Sequence, residues 1–404
     1  MAKFVVIGAG VVGVASAWQL CQAGHEVVLV DRNGGPCFGA SLKNGAQLSY
    51  SYCDALASPG LFARIPAIIT GRDPAFRVRL QADPEFFLWG LRFIRNATPA
   101  AFRRNTSALL AIASATERLL RDLLAEFPLS FDYAAPGKLV LCEDMAALAA
   151  AQRQSAAKRK LGIESEVLAR SEAEAIEPAL GTYAYPFVGA IYTPKDAVGR
   201  PSRFCEGLVA ALSARYGLRT RYCSEARRIL KRNGGVSGVV FTNSETERCD
   251  GVVVATGYDT TLLGRKGRFG AIWPVQGYSL TVPASPGAIR VSVTDPKRRM
   301  VFTPLGNSIR IAGIADVGPR RFYFDQTRYE TLRQSAAGAF PGTLDLARAE
   351  GWSDARPCTP SSRPLIGRGD ARGLYLNLGH GAFGWTLGLG SAERLAGLIA
   401  EDRS

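Results

Sequence analysis

The sequence predicts a mixed α/β protein whose two domains are interleaved along the chain. Short, continuous β-branched runs near the start, middle and end are typical of parallel strands that are buried on both faces. Alternating apolar and polar residues between these runs are typical of antiparallel strands. The chain has 404 residues, which is more than one hydrophobic core usually supports, and its 47% apolar content is sufficient for two cores.

The parallel strands form the first group of elements. Apolar runs at 3–8 and 26–31 predict two strands that are joined by a helix at 12–23, which together make a βαβ unit. Similar runs at 250–255 and 374–378 predict two further strands of the same sheet, and a C-terminal helix follows the second of them.

Two inserted stretches have different patterns. Helical periodicity extends across 84–127, and an alanine-rich helix is predicted at 145–161. Later stretches alternate as antiparallel strands do, at 278–282, 300–302 and 309–312. We therefore predict a discontinuous parallel-sheet domain and an antiparallel-sheet domain, with the ranges 1–55, 195–268 and 352–404 for the first and 56–194 and 269–351 for the second.

A glycine motif lies between the first strand and the first helix. Residues 8–13 have the form G-x-G-x-x-G, with Gly8, Gly10 and Gly13 at the fixed positions. The glycines permit a tight turn, close approach to a pyrophosphate and close helix–strand packing, while the helix N-terminus offers N–H groups. Asp31 ends the second strand, where a carboxylate can accept the ribose hydroxyls. The motif in this context predicts a Rossmann-type dinucleotide site, but it does not separate FAD from NAD.

A second G-x-G-x-x-G motif spans residues 379–384, again after a strand and before a helix. No second strand with a ribose-binding acid follows it in this sequence. We interpret it as a glycine-rich loop where the backbone passes close to a flat ligand. His25 and His380 are the only histidines, and no cysteines form a CxxC pair, so neither a catalytic metal nor a Ser–His–Asp triad is indicated.

The net charge of +14 could indicate a nucleic-acid partner, an anionic membrane surface or a bias toward acidic substrates. The basic residues are spread in separate pairs and triplets without aromatic interleaving, so we expect a solvated surface and no nucleic-acid partner. The segment 61–69 is apolar and basic, and we expect it to touch an anionic bilayer, with a buried connection between domains as the alternative. No apolar stretch reaches the ~18 residues of a spanning helix. We expect a cytoplasmic protein, or one that lies peripherally on the inner face of the cell membrane.

The motifs resemble the FAD-dependent D-amino-acid oxidase superfamily, and most closely its bacterial D-amino-acid dehydrogenases. The similarity extends over essentially the whole length, and it is carried by residues 6–14, 24–27, 31–32, 41–47, 255–257, 276–279, 351–367 and 377–386. The resemblance implies that the first domain binds FAD non-covalently and that the second domain binds the substrate. It implies cofactor contacts by Gly8, Ala9, Gly10, Val11, Val12, Gly13, Asp31, Arg32, Ser41, Asn44, Gly45, Ala46, Gln47, Ala226, Ala255, Thr256, Gly257, Gly379, His380, Gly381, Ala382, Phe383, Gly384, Trp385 and Thr386.

The resemblance also implies a reaction. A D-amino acid or a cyclic imino acid of the D-proline type would lose a hydride from Cα to flavin N5. Arg356 matches the arginine that binds the substrate carboxylate, a task for which a bidentate guanidinium is well suited. Tyr278 adds a hydroxyl or lines the pocket, with core packing as the alternative. Tyr52 is a weaker pocket candidate, and His380 is placed beside the flavin.

One departure from the dehydrogenases affects the electron acceptor. Gln276 stands where they usually have lysine, and we expect this change to remove a cation near the ring. A quinone or protein acceptor is the leading hypothesis. The alternatives are an O₂-using oxidase of glycine, sarcosine or D-amino acids and, from a different class, a flavin-bearing binding or nucleic-acid module. The oligomeric state is left open.

Overall fold

The computed structural model describes residues 1–60, 67–68, 73–160, 162–264 and 271–403. The strands are β1 (Lys3–Ile7), β2 (Glu26–Val30), β3 (Gln47–Leu48), β4 (Phe76–Val78), β5 (Lys138–Cys142), β6 (Glu166–Ala169), β7 (Gly189–Thr193), β8 (Ala197–Val198), β9 (Arg219–Arg221), β10 (Ala226–Arg232), β11 (Gly235–Phe241), β12 (Thr246–Arg248), β13 (Gly251–Val254), β14 (Trp273–Pro283), β15 (Ser292–Asp295), β16 (Met300–Leu305), β17 (Ser308–Val317), β18 (Glu350–Cys358), β19 (Leu365–Arg368) and β20 (Leu374–Leu378).

The α-helices are α1 (Val11–Gln22), α2 (Pro84–Arg95), α3 (Pro99–Glu126), α4 (Met145–Arg159), α5 (Arg170–Ile176), α6 (Pro201–Tyr216), α7 (Gln326–Ala339) and α8 (Gly384–Glu401). Short 3₁₀ turns occupy Pro178–Thr182, Thr261–Leu263, Leu346–Arg348 and Gly381–Phe383. Within these described ranges, no helix is both long and apolar enough to span a bilayer.

A six-stranded sheet forms the first layer system, in the order β19-β20-β13-β1-β2-β9. Its strands pair in parallel except for β19, which runs antiparallel to β20. Helices α1, α6 and α8 pack on one face, and the small sheet β10-β11-β12 packs on the other. Burial on both faces explains why β1 and β2 consist almost entirely of buried apolar residues. This confirms the predicted Rossmann-type fold.

The second sheet follows the order β18-β14-β17-β16-β15-β5-β7-β6, and β4 also pairs with β17. Most of its pairings are antiparallel, as the alternating residues predicted. An apolar core lies between this sheet and α7, with Leu332, Phe302 and Phe340 completely buried. One face of the sheet is turned toward the nucleotide-binding side of the molecule.

The long helical stretch at 84–127 divides into α2 and α3. Asn96 ends α2, and Thr98 caps α3 by accepting the Ala101 N–H, with Pro99 as the first helical residue. Helix α3 packs on α8, and Leu119, Leu120 and Leu123 in its second half join the core beside the parallel sheet. Sequence periodicity identified the helical residues but not this partner.

The predicted boundary between the two domains at residue 352 differs from the structure. Strand β18 pairs with β14 along its whole length, from Trp273↔Cys358 to Thr281↔Glu350, so residues 352–358 lie in the second sheet and not with the parallel one. The sequence analysis assigns them to the FAD-binding domain, so this part of the predicted boundary differs from the structure.

Of the predicted bilayer segment 61–69, only 67–68 fall within the described residues, and Ile68 is buried.

Candidate active site

The first glycine motif forms a cradle in which two of the three glycines leave no room for a side chain. Gly8 has φ +103°, and a Cβ on it would lie 2.5 Å from the Ala255 carbonyl oxygen. A Cβ on Gly13 would lie 1.7 Å from the Gly8 carbonyl oxygen, because the helix crosses the strand there. Both positions therefore require glycine, as the motif predicted.

Asp31 lies beside this cradle at the end of β2. Its Oδ2 accepts the Ala9 N–H at 2.7 Å, and its Oδ1 accepts the Asn33 N–H at 2.9 Å. Gly10 precedes the first residue of α1 and offers no side chain to cap the helix. The Val11 N–H donates to the Ser41 hydroxyl oxygen at 3.3 Å. The helix N-terminus and the carboxylate thus offer donors for a pyrophosphate and an acceptor for a ribose.

A cavity of about 540 Å³ extends from this cradle to the second sheet. It brings together most of the predicted cofactor residues, namely Gly8, Gly10, Val11, Val12, Asp31, Arg32, Ser41, Asn44, Gly45, Ala46, Gln47, Ala226, Ala255, Thr256, Gly257, His380, Gly381, Ala382, Phe383, Gly384, Trp385 and Thr386. Ala9, Gly13 and Gly379 are not among the residues that line it. Ala9 and Gly13 instead make contacts within the cradle, Ala9 with Asp31 and Gly13 with the Gly8 carbonyl oxygen. Gly379 has φ +78°, and a Cβ on it would lie 2.6 Å from Thr359 Cγ2.

The loop of residues 41–47 is attached to the second sheet through its carbonyl oxygens. The Ser279 hydroxyl donates to Lys43 O at 2.6 Å, Thr303 donates to Gly45 O at 2.8 Å, and Arg310 Nη1 donates to Asn44 O at 3.0 Å. Burial lowers the pKa of Arg310 to about 10. Sequence reasoning missed these three residues, because a side chain that supports a loop backbone leaves no motif.

Arg356 lines the cavity from β18. Its Nη1 donates to the Ile314 carbonyl oxygen at 3.0 Å, and its guanidinium lies over Gly277, where a Cβ would be 2.4 Å from Cζ. Burial lowers the pKa of Arg356, although an arginine remains a cation in proteins. Within the described part of the chain, no carboxylate forms an ion pair with it. A cation of this kind in a cavity is suited to an anionic ligand.

Tyr278 also lines the cavity, but its ring belongs to the core of the second sheet. The ring centroid lies 6.2 Å from that of Phe324, and the residue is 1% exposed. Its hydroxyl is buried without a hydrogen-bond partner among the described residues, and burial raises its pKa to about 12. The hydroxyl is therefore protonated and able to donate at neutral pH.

His380 lines the cavity and is otherwise buried in the protein. The Ser391 hydroxyl donates to Gly388 O at 2.9 Å, so it accepts the Nε2–H of His380, which is also 2.9 Å away. The proton is thereby assigned to Nε2, with Nδ1 as an acceptor. Burial lowers the pKa of His380 to about 3, so the ring is neutral at physiological pH.

Tyr52 lies outside this cavity and lines a second one. The ammonium groups of Lys138 and Lys158 lie 5.3 Å and 4.8 Å from its ring centroid, and Lys158 pairs with Asp54 at 3.0 Å. Tyr52 is not among the residues that line the first cavity together with Arg356. The structure thus does not bring Tyr52 to the predicted substrate site.

The expectation for Gln276 also differs from the structure. Its Nε2 donates to Tyr323 O and to Ser353 Oγ, both at 2.8 Å, and it is not among the residues that line the cavity. The bulge between Gln276 and Tyr278 turns the amide toward the loop before α7. The Gln276 side chain therefore contacts that loop and does not line the cavity. Other charged residues line it that sequence reasoning did not name as site residues, namely Lys43, Glu225, Asp259, Arg299 and Asp354.

These features fit a bound FAD. The cradle excludes any Cβ at Gly8 and Gly13, Asp31 stands at the ribose position, and the wall formed by residues 380–386 passes close to the cavity. Such a site would hold the adenosine end at β1 and β2 and the reactive ring near the second sheet.

Comparison with known proteins agrees with this fit. The family described as "DAO: FAD dependent oxidoreductase" matches residues 3–398. D-amino acid dehydrogenase 2 of Ralstonia nicotianae is 39% identical, over 98% of this chain and 96% of the relative. D-amino acid dehydrogenase of Paramagnetospirillum magneticum is 37% identical, over 98% and 95%. The crystal structure of L-proline dehydrogenase from P. horikoshii has the same fold, with a TM-score of 0.76 at 19% identity, over 99% and 93% of the two chains. The chain therefore belongs to the DAO family of FAD-dependent oxidoreductases.

Proposed function

We propose that this protein is a dehydrogenase of D-amino acids or of a cyclic imino acid of the D-proline type. The observation that carries the proposal is the guanidinium of Arg356, which lines the cavity without a carboxylate partner among the described residues. The names of the two bacterial relatives, both D-amino acid dehydrogenases, support the same substrate class.

Arg356 is suited to hold the substrate carboxylate. A guanidinium has five N–H groups in one plane, and only one is committed to Ile314 O. The others can form two parallel, charge-assisted hydrogen bonds to a carboxylate. Fixing one end of the substrate restricts the position of its Cα, which lowers the entropic part of the barrier. The Tyr278 hydroxyl is proposed as a further donor.

The chemistry needs little else from the protein. When bound, FAD accepts the hydride from the substrate Cα and holds both electrons. Water hydrolyses an acyclic imino acid to a 2-oxo acid and ammonia, whereas a cyclic imine opens to a 2-oxo acid that keeps its amino group. A substrate whose amine binds neutral needs no general base, and His380, with its pKa lowered to about 3 by burial, serves as a neutral hydrogen-bonding group beside the cofactor.

The substrate class is tested by anaerobic bleaching of the flavin. We expect D-amino acids or D-proline to reduce the 450 nm absorbance and the L-enantiomers to leave it unchanged. Bleaching by L-amino acids alone, or by none of the panel, would refute the proposal.

We further propose that a quinone or a protein receives the electrons. The dehydrogenase names of the relatives support this choice over O₂. Steady-state turnover with a soluble quinone or a dye should exceed turnover in air by a wide margin. Stoichiometric peroxide formation at an equal rate would identify an oxidase instead.

We also propose peripheral association with an anionic bilayer through α2. One face of this helix packs on the core through Phe86, Trp89 and Phe93, while the opposite face exposes Phe87, Leu91 and Ile94, by 56%, 48% and 42%. Arg92 and Arg95 in its last turn and Arg103 and Arg104 in α3 are also exposed. Apolar residues beside basic ones are typical of interfacial helices, and each cation near an anionic surface adds about 1 kcal/mol.

Vesicle co-sedimentation tests this proposal. Binding should require phosphatidylglycerol in phosphatidylcholine vesicles and weaken in high salt. The double substitution Phe87→Ser/Leu91→Ser should reduce it, whereas Met145→Ser, at a residue that is 67% exposed on α4, should not. Binding that ignores both lipid charge and the α2 substitution would contradict the proposal.

A further inference from the structure

The guanidinium of Arg356 rests on the backbone of the neighbouring strand. Gly277 of β14 lies beneath it, and a Cβ there would be 2.4 Å from both Cζ and Nη2. Real Cβ atoms are not found at such distances from other heavy atoms. Gly277 has no φ in the left-handed region, so its backbone does not require glycine. The absence of a side chain at this position is explained by the guanidinium itself.

A bulge on the next strand supplies the second contact. In the β14–β17 ladder, Gln276 faces Asp316 and Tyr278 faces Gly313, so Ile314 and Ala315 together face Gly277. Ile314 has φ +59°, in the left-handed region. Bulges with a left-handed residue are normally built on glycine, and a β-branched residue there is strained. This conformation turns the Ile314 carbonyl oxygen toward Arg356, which donates to it at 3.0 Å.

We propose that Gly277 and Ile314 are positioning residues that preset Arg356 for the substrate carboxylate. Gly277 provides the flat support for the guanidinium, and the strained Ile314 fixes one of its N–H groups. The remaining N–H groups then face the ligand before it arrives. Strained residues of this kind persist where the surrounding structure holds them, often beside ligand-binding groups. The inference rests on the proposed function, because it takes Arg356 to bind the carboxylate.

The first test is Gly277→Ala, with Gly367→Ala on β19 as the matched control, since a Cβ at Gly367 meets no atom within 4 Å. The added methyl group must displace the guanidinium. We expect kcat/KM for an accepted D-amino acid to fall about 10- to 100-fold, mainly through KM, with FAD content unchanged. The corresponding amide, which has no carboxylate, should change less than about threefold. An equal loss for acid and amide, or no loss for either, would overturn the proposal.

The second test compares Ile314→Gly with Ile314→Ala. Both remove the same buried side chain beyond Cβ, so they differ in whether a Cβ must be held at positive φ. We expect the glycine variant to unfold at a higher temperature than the alanine variant, and to have the higher KM for the acid because its carbonyl is less firmly directed. Equal melting temperatures, or equal KM values, would count against the role of Ile314.

The two levels of inference fail in different ways. If Arg356→Ala reduces acid and amide turnover equally, the carboxylate assignment itself is wrong. If Arg356→Ala selectively impairs the acid but Gly277→Ala does not, the proposed function stands and only the positioning role is refuted.

Discussion

Removal of the Arg356 side chain is the most direct test of the site. In Arg356→Ala the substrate carboxylate loses two charge-assisted hydrogen bonds in a partly dry cavity, while the Ile314 carbonyl oxygen loses its donor. Removing one partner of a buried charge pair typically costs about 2–5 kcal/mol. At about 1.4 kcal/mol per decade, this corresponds to a loss of roughly 30- to 5,000-fold in kcat/KM.

The assay compares an amino acid with its amide in both proteins. The amide should lose far less than the acid, since it lacks the charge that Arg356 recognises. Arg356→Lys should recover part of the loss, because an ammonium cannot match two oxygens in one plane. FAD content, measured from the 450 nm to 280 nm absorbance ratio, should remain near that of the wild type, since the predicted pyrophosphate site is formed by residues 8–13.

Stability provides an internal control. No carboxylate of the described residues pairs with Arg356, so its removal leaves no buried counter-charge. The Ile314 carbonyl oxygen loses one donor, which typically costs about 1–3 kcal/mol, so we expect only a modest fall in the melting temperature. Loss of FAD in Arg356→Ala, or equal losses of acid and amide turnover, would refute the assignment.

Three further predictions concern other residues of the site. Burial lowers the pKa of His380 from 6.5 to about 3. Between these two pH values the imidazole is protonated in the unfolded chain but neutral in the folded protein. Up to roughly 5 kcal/mol of stability is therefore lost as the pH falls from 6.5 to about 3. His380→Asn should therefore shift acid unfolding, followed by circular dichroism, to lower pH. Tyr278→Phe removes a buried hydroxyl that has no hydrogen-bond partner among the described residues, so it should raise the free energy of unfolding by about 1–2 kcal/mol in urea titrations, while raising KM if the hydroxyl binds substrate. Gly13→Ala, whose Cβ would lie 1.7 Å from Gly8 O, should reduce FAD content, and Gly397→Ala on α8 should not.

Local pattern was sufficient for the nucleotide-binding half of the fold. The strands at 3–7, 26–30 and 374–378 are buried on both faces, so each appears in the sequence as an apolar run with a single polar residue, Lys3, Glu26 or Asn377. Gly8 and Gly13 are recognisable because the close contact that requires glycine lies within one βαβ unit, where residues that are neighbours in space are also near in sequence. Asp31 follows by the same reasoning.

The substrate side depended on contacts between distant parts of the chain. Sequence similarity pointed to Arg356 and Tyr278, but not to Gly277 beneath the guanidinium or to the Ile314 carbonyl oxygen that it bonds. Tyr52 was expected near them and lies at the second cavity instead.

By itself, the sequence determined the class of fold and the nucleotide cradle, and its resemblance to a known family pointed to Arg356 as the arginine proposed to bind the carboxylate. Only the tertiary structure decided the surroundings of that arginine and the side to which Gln276 turns. The physical reason is the register of β14 against β17 and β18: a strand alternates its faces at every residue, and a bulge shifts that alternation by one. The bulge that turns the Ile314 carbonyl oxygen toward Arg356 is set by the pairing of whole strands and leaves no local pattern of residues.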